Sequence, residues 1–258
     1  MKKTRALLVG AALIAATATS ASAVPIELLN GEITKIKYTN YENFIDNNNN
    51  RIIDKDDKFV GVLNVSSISN VSGSKFTNFD PNKVELSGVF QISVTGGSIP
   101  VAGVGNVTFG FTGNDYMKIY YDTTPDYDAS TVANAFASVQ NGNLWMEFKN
   151  YDGLGQVILA NSLTLNTNRA DILTNNSGYT IAPQNYPGVI PLPGFGPDVL
   201  TDVFFTSWVS SPSDNTAWGY KSEDPLYITA VPEPGTLMLL GVGLAGLAVM
   251  TKRRSKKQ

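Results

Sequence analysis

Phe59-Val-Gly-Val-Leu-Asn-Val-Ser-Ser-Ile68 and Lys83-Val-Glu-Leu-Ser-Gly-Val-Phe-Gln-Ile-Ser-Val94 decide the fold class of this chain. Both are rich in β-branched and aromatic residues, which suit a pleated, half-buried surface. Outward from them, residues 32–38, 104–111, 116–121, 144–148, 157–165, 203–209 and 226–229 read as further strands. Gly96-Gly97, Gly113-Asn114, Asn141-Gly142 and Asp152-Gly153 read as turns between them. Residues 129–139 form the one plausible helix, with Asp128 or Ser130 as cap and Val132, Phe136 and Val139 on one face. Many strands, short intervals and little helix predict an all-β protein: a single β-sandwich or jelly-roll-like domain over residues 24–230.

Composition removes much chemistry. The chain has no Cys and no His. Disulfides, Cys/His zinc sites and His- or Cys-ligated haem are therefore excluded, as are Ser-His-Asp and Cys-His nucleophiles. With the cations of the two ends and Glu233 set aside, residues 24–230 hold 11 basic and 21 acidic side chains, a net charge of −10. No basic patch offers itself to phosphates, so nucleic acid is not an expected partner. About 200 residues are enough for one sizeable core without staples.

Both ends read as addresses. Lys2, Lys3 and Arg5 precede an apolar run from Leu7 to Ala16 and the small residues Ala21-Ser22-Ala23. This is the pattern of a secretory signal peptide over residues 1–23, implying the Sec translocon and signal peptidase as partners. At the other end, Val231-Pro232-Glu233-Pro234 is followed by an apolar run from Leu237 to Met250 and by Lys252, Arg253, Arg254, Lys256 and Lys257. The prolines hold the segment extended and are expected to keep it outside the preceding fold. Fourteen apolar residues span about 21 Å as a helix, against about 30 Å of hydrocarbon, so the run reads as a weak, temporary anchor. The terminal cations, led by Lys252, Arg253 and Arg254, act as the membrane stop.

The order and residue types of residues 231–258 resemble the PEP-CTERM sorting signal of exported bacterial proteins. The resemblance covers roughly a tenth of the chain and implies processing by an exosortase-type protease. It also implies passage through the inner membrane to the cell surface or extracellular matrix, in a setting of exopolysaccharide and biofilm.

Within the body, Asp46-Asn-Asn48-Asn-Asn50-Arg51-Ile52-Ile53-Asp54-Lys-Asp-Asp57 is the strongest chemical constellation. Its oxygen side chains stand at relative positions 1, 3, 5, 9 and 12, a spacing similar to EF-hand and dockerin-type calcium loops. That resemblance implies side-chain ligation by Asp46, Asn48, Asn50, Asp54 and Asp57 and carbonyl ligation by Ile52. Arg51 stands where such loops have Gly, at a cost on the order of 1 kcal/mol. Weak calcium affinity is expected, against the alternative of an Asn-rich turn.

Three further groups stand out. Residues 120–128 crowd Asp122, Asp126 and Asp128, which suit a turn and a helix cap better than a second site. Trp145 and Glu147 lie two apart on a strand, with Trp208 and Trp218 elsewhere; aromatics on strands usually belong to the core, and the alternative is a carbohydrate-binding surface formed by Trp145 and Glu147. Residues 181–197 carry five prolines and read as a long loop pinned over the end of the sandwich by its own apolar residues, with presentation of Tyr186 and Phe195 to a ligand as the alternative. No catalytic residue is assigned. The expected function is a non-enzymatic exported surface or matrix protein. The alternatives are a carbohydrate-binding module, and a glycoside hydrolase or polysaccharide lyase using acids such as Glu85 and Glu147.

Overall fold

The computed structural model describes residues 26–100, 105–157, 164–184, 200–212 and 217–232, together with Gly243. In chain order these form β1 (Ile33–Ile45), β2 (Ile52–Asp54), β3 (Lys58–Asn70), β4 (Glu85–Pro100), β5 (Gly105–Gly110), β6 (Tyr116–Asp122) and α1 (Val132–Gln140). There follow β7 (Asn143–Val157), β8 (Thr164–Asn175), β9 (Tyr179–Ile181), β10 (Val203–Pro212) and β11 (Tyr220–Pro232). The signal-peptide region and almost all of the apolar tail lie outside the described residues. Among the described residues no helix is long and apolar enough to cross a membrane.

β1 shows why the body is sheet. Thr34, Ile36, Tyr38, Asn40 and Glu42 are buried, while Ile33, Lys35, Lys37, Thr39, Tyr41 and Asn43 between them are half-buried or exposed. A period of two gives each strand one inner and one outer face.

The strands join in the order β1-β3-β4-β5-β7-β8-β10-β11, and β11 pairs back onto β1. Every ladder is antiparallel, from Ile33↔Thr229 to Glu42↔Tyr220 at the closing seam. β5 and β6 act as two halves of one strand between β4 and β7: β5 pairs Val94 with Phe109, and β6 pairs Phe90 with Met117. The result is an eight-stranded up-and-down barrel, which corrects the sandwich or jelly-roll expectation. A sandwich keeps two sheets with free edges, whereas β1 here is bonded on both sides. The stagger of the ladders is the physical cause. Stepping across partners from Ile36 leads to Leu226, Phe205, Asn168, Gly153, Phe109 and Val94. Val94 then exchanges backbone hydrogen bonds with the Asp56–Asp57 turn, beyond the Ile45↔Lys58 end of β1. A full circuit thus ends about one strand length from where it began, and a sheet so sheared tilts its strands and rolls shut.

The interior is packed with Ile36, Leu63, Leu86, Phe90, Met117, Met146, Phe148, Phe205 and Leu226, as suits a barrel of this strand number. Outside it, α1 lays Ala135 and Val139 against Val62, Val89 and Trp218. The helix starts later than the sequence pattern suggests: Thr131 is its cap and accepts from the Asn134 amide at 3.1 Å.

Two pairs read as turns lie inside strands. Gly96-Gly97 sits at a bulge of β4, and Asp152-Gly153 belongs to β7 beside another bulge. Gly153 is required there because the Asn168 side chain occupies the space a Cβ would need. The stretch 157–165, read as one strand, instead holds the end of β7 and the start of β8, which pair Val157 with Thr164.

Candidate functional site

The connection between β1 and β3 folds around the Asp46 carboxylate, which accepts the amides of Asn50 at 3.2 Å and Arg51 at 2.8 Å. Asn48 and Asn50 donate their side-chain amides to Asp54 at 3.1 and 2.7 Å. Arg51 takes the left-handed conformation, with φ 61°, that a glycine would adopt without strain. β2 follows at once and pairs Ile52 with Pro100, which pins the loop to the end of β4. Asp46, Asn48, Asn50 and Asp54 therefore come together. Asp57 does not: it is fully buried, and its two oxygens accept the amides of Asn47 and Asp54, each at 2.9 Å. Its role is to close the loop from beneath. Among the described residues no group of three carboxylates converges closely enough to hold a metal. The donor set fits a cation held by two carboxylates and neutral amide or carbonyl oxygens, a weak site by charge.

Inside the barrel lies a polar cluster that pattern reading missed. Asn40 and Glu42 on β1 face Ser222 and Asp224 on β11, and all four are buried. The Ser222 hydroxyl contacts both Asn40 and the Asp224 carboxylate. Oε1 of Glu42 has no hydrogen-bond partner. Burial, and then the charge of Asp224, push the Glu42 carboxyl up to about 8. The signal was present in sequence: Asn40 and Glu42 continue the inward alternation of Ile36 and Tyr38, so they hold core positions.

The remaining candidates are separate. Glu85 is buried and accepts Ser87 Oγ at 2.5 Å and the amides of Asp126 at 2.9 Å and Tyr127 at 2.7 Å, anchoring the segment before α1. Glu147 pairs with Lys118 at 3.0 Å. Glu85 is opposite Asp122 on β6 while Glu147 is opposite Lys118, so four residues, about 13 Å of strand, offset the two acids along the wall. That exceeds the roughly 5–9.5 Å that a glycosidase acid pair needs. Trp145 is fully buried in the core cluster and so is not grouped with Glu147 at an open face. Trp218 is buried and donates to the Ala129 carbonyl at 2.9 Å. The side chain of Trp208, and Tyr186 and Phe195 of the proline-rich loop, lie outside the described residues. Asp122, Asp126 and Asp128 serve apart: they accept the Thr124 amide, the Asn141 side chain and the Ser130 amide at 2.7, 2.8 and 2.8 Å.

The start of the tail differs from expectation. Ala230, Val231 and Pro232 belong to β11 and pair with Ile181, Thr180 and Tyr179 of β9, so the first proline lies in the sheet and not beyond it. Pro232 is tolerated because it is the last residue of the strand. On the other side of the strand, Gly31 donates to the Ala230 carbonyl at 2.8 Å. Glu233, Pro234, Lys252, Arg253 and Arg254 lie outside the described residues.

No curated protein and no solved structure matches this chain. Residues 230–254 match the PEP-CTERM protein-sorting motif. The chain thus carries the sorting signal of an exported protein, with a transiently membrane-anchored tail subject to exosortase processing.

Proposed function

We propose that this protein is a non-enzymatic component of the cell surface or extracellular matrix: a closed β-barrel carried out of the cytoplasm and released from the membrane when its tail is removed. The observation that supports this reading is the sorting motif, joined without a spacer to the last strand of the barrel. A filled interior, which encloses Glu42 and Asp224, and the separation of Glu85 from Glu147 favour a structural or adhesive part over a hydrolase. The acidic body suits a polyanionic matrix bridged by divalent cations, and the Asp46–Asp54 loop supplies a weak calcium position on it. Exopolysaccharide is the proposed partner.

Mass spectrometry of the protein released by the producing bacterium tests the reading. The mature chain is expected to begin near Val24 and to lack the run from Leu237 to Met250. A released form that keeps this run, or a chain found only in the cytoplasm, refutes it.

A further inference from the structure

We infer that, before release, the barrel stands end-on upon the bilayer, with the rim around the end of β11 seated on electrically neutral lipid headgroups. The inference rests on the proposed entry of the tail into the membrane.

Its first support is the length of the tether. β11 is held on both sides up to its end, by β9 and by the Gly31 amide, so no slack precedes Pro232. From Pro232 to Leu237 the chain can span at most about 18 Å. Headgroups occupy roughly 7 Å on each side of the hydrocarbon, so Pro232 stands within about 11 Å of the membrane surface.

The second support is the distribution of exposed apolar side chains. Among the described residues, the large ones are Ile45, Val71, Phe76, Leu173 and Leu200. All but Ile45 belong to the end at which β11 finishes. Antiparallel pairing puts the close of β3, the start of β4, the close of β8 and the start of β10 at that end. Val71 and Phe76 lie within the β3–β4 connection, and Phe76 bridges back to Ser69 near the end of β3. Continued past Val203↔Ala170, the β8–β10 register sets Leu200 opposite Leu173. In barrel order these two pairs stand on opposing sides of the rim, which suits a plane better than a compact protein epitope. The side wall next to the tether presents Lys35, Lys37 and Glu223 together with a small cluster in which Ile33 and Phe204 pack on Tyr227, so its exposed large apolar side chains are fewer than those of the rim.

Charge selects the lipid. Glu27, Glu32, Asp80 and Asp202 outnumber Lys75 and Lys83 at this rim, and both lysines are already paired, with Glu32 at 2.9 Å and Asp80 at 3.2 Å. Anionic headgroups are therefore disfavoured.

The absence of Cys makes the test direct. Phe76→Cys, Leu200→Cys and Ile45→Cys are introduced singly into the chain from Val24 to Gln258. Each variant carries a fluorophore and is bound to phosphatidylcholine vesicles containing a headgroup-attached quencher. Labels at 76 and 200 are expected to lose at least half their emission, and the label at 45 almost none. Flotation with the vesicles is measured on the same samples. Protein that floats with all three labels equally bright refutes the end-on seat and leaves the sorting reading intact. Protein that does not float refutes tail insertion, and the seat with it. Equal quenching at 45 also overturns the seat, by showing a barrel lying on its side.

Discussion

Replacing Glu42 with Gln removes a buried carboxyl whose proton the barrel interior holds far into the neutral range. Its ordinary value of 4.5 becomes about 8 inside the fold, through burial and then the charge of Asp224. Below about pH 4.5 the folded and unfolded chains both keep this proton, and Glu42 costs the fold nothing. From there to about pH 8 the unfolded chain ionises while the folded one does not, so stability falls as pH rises. Above about pH 8 the loss is complete. At about 1.4 kcal/mol per pH unit, the cost exceeds about 3 kcal/mol at pH 7 and reaches about 5 kcal/mol by pH 9, a large share of the roughly 5–15 kcal/mol typical of a domain. With no His and no Cys, few side chains other than Glu42 titrate across this range. Chemical denaturation at pH 5, 7 and 9 is the assay. Wild type should weaken steadily, while Glu42→Gln should stay nearly flat and exceed wild type by several kcal/mol at pH 9. Asn40, Ser222, Asp224 and Tyr220 face the same site in both proteins, and because Asp224 and Tyr220 feel the Glu42 charge, the difference reports Glu42 together with its coupling to them. Wild type and variant falling in parallel, or neither changing, refutes the reasoning.

Three further outcomes follow from the geometry. Gly61→Ala would drive a Cβ into the Tyr41 carbonyl and to 2.5 Å from the Phe90 ring, and should cost about 1–3 kcal/mol or prevent folding, read as a lower melting midpoint. Glu85→Ala strips three hydrogen bonds from a buried anchor and should cost about 2–4 kcal/mol, with protease nicking between residues 122 and 131 as a second readout. Calcium at about 10 mM should raise the melting midpoint of wild type by a few degrees and leave that of Asp46→Ala unmoved; an unchanged wild-type midpoint removes the ion from the loop.

Local pattern carried the strands and missed their closure. Alternation in β1 and the β-branched run of β3 are properties of neighbours along the chain, and they mark a wall with one wet and one dry face. Whether that wall ends in two sheets or joins itself depends on the register between Ile33 and Thr229, nearly two hundred residues apart, which no short pattern encodes. Sandwich and barrel therefore look alike at the level of single strands. The glycines misled for a related reason. Gly113 does mark a turn, with φ 56°, but Gly153 sits mid-strand to make room for Asn168, a partner visible only once β7 and β8 are paired. In the Asp46–Asp57 loop the strained position at Arg51 was legible from spacing alone. The burial of Asp57 was not, because it arises from the adjoining β3 and β4.

The barrel has two chemically distinct ends, and the closed topology is what separates them. The Asp46–Asp54 loop joins the end of β1 to β3 and so lies at the end opposite to Pro232, where the tail departs. A sandwich would leave edge strands along its sides, open to pairing with other chains, whereas the seam between β1 and β11 closes the barrel wall and leaves only the three-residue β2 and β9 paired on one side among the described residues. Contacts with a membrane or a matrix are then confined to the loops at the two ends and to outward side chains. Removing the tail changes only one of these ends. Because the match to the sorting motif begins at Ala230, inside a strand that closes the barrel, the signal and the fold share residues. Processing on the strand side of Pro232 would break the pairing with β9, whereas cutting beyond it leaves the seam whole. The folded barrel itself therefore sets the inner limit at which the tail can be removed without loss of structure.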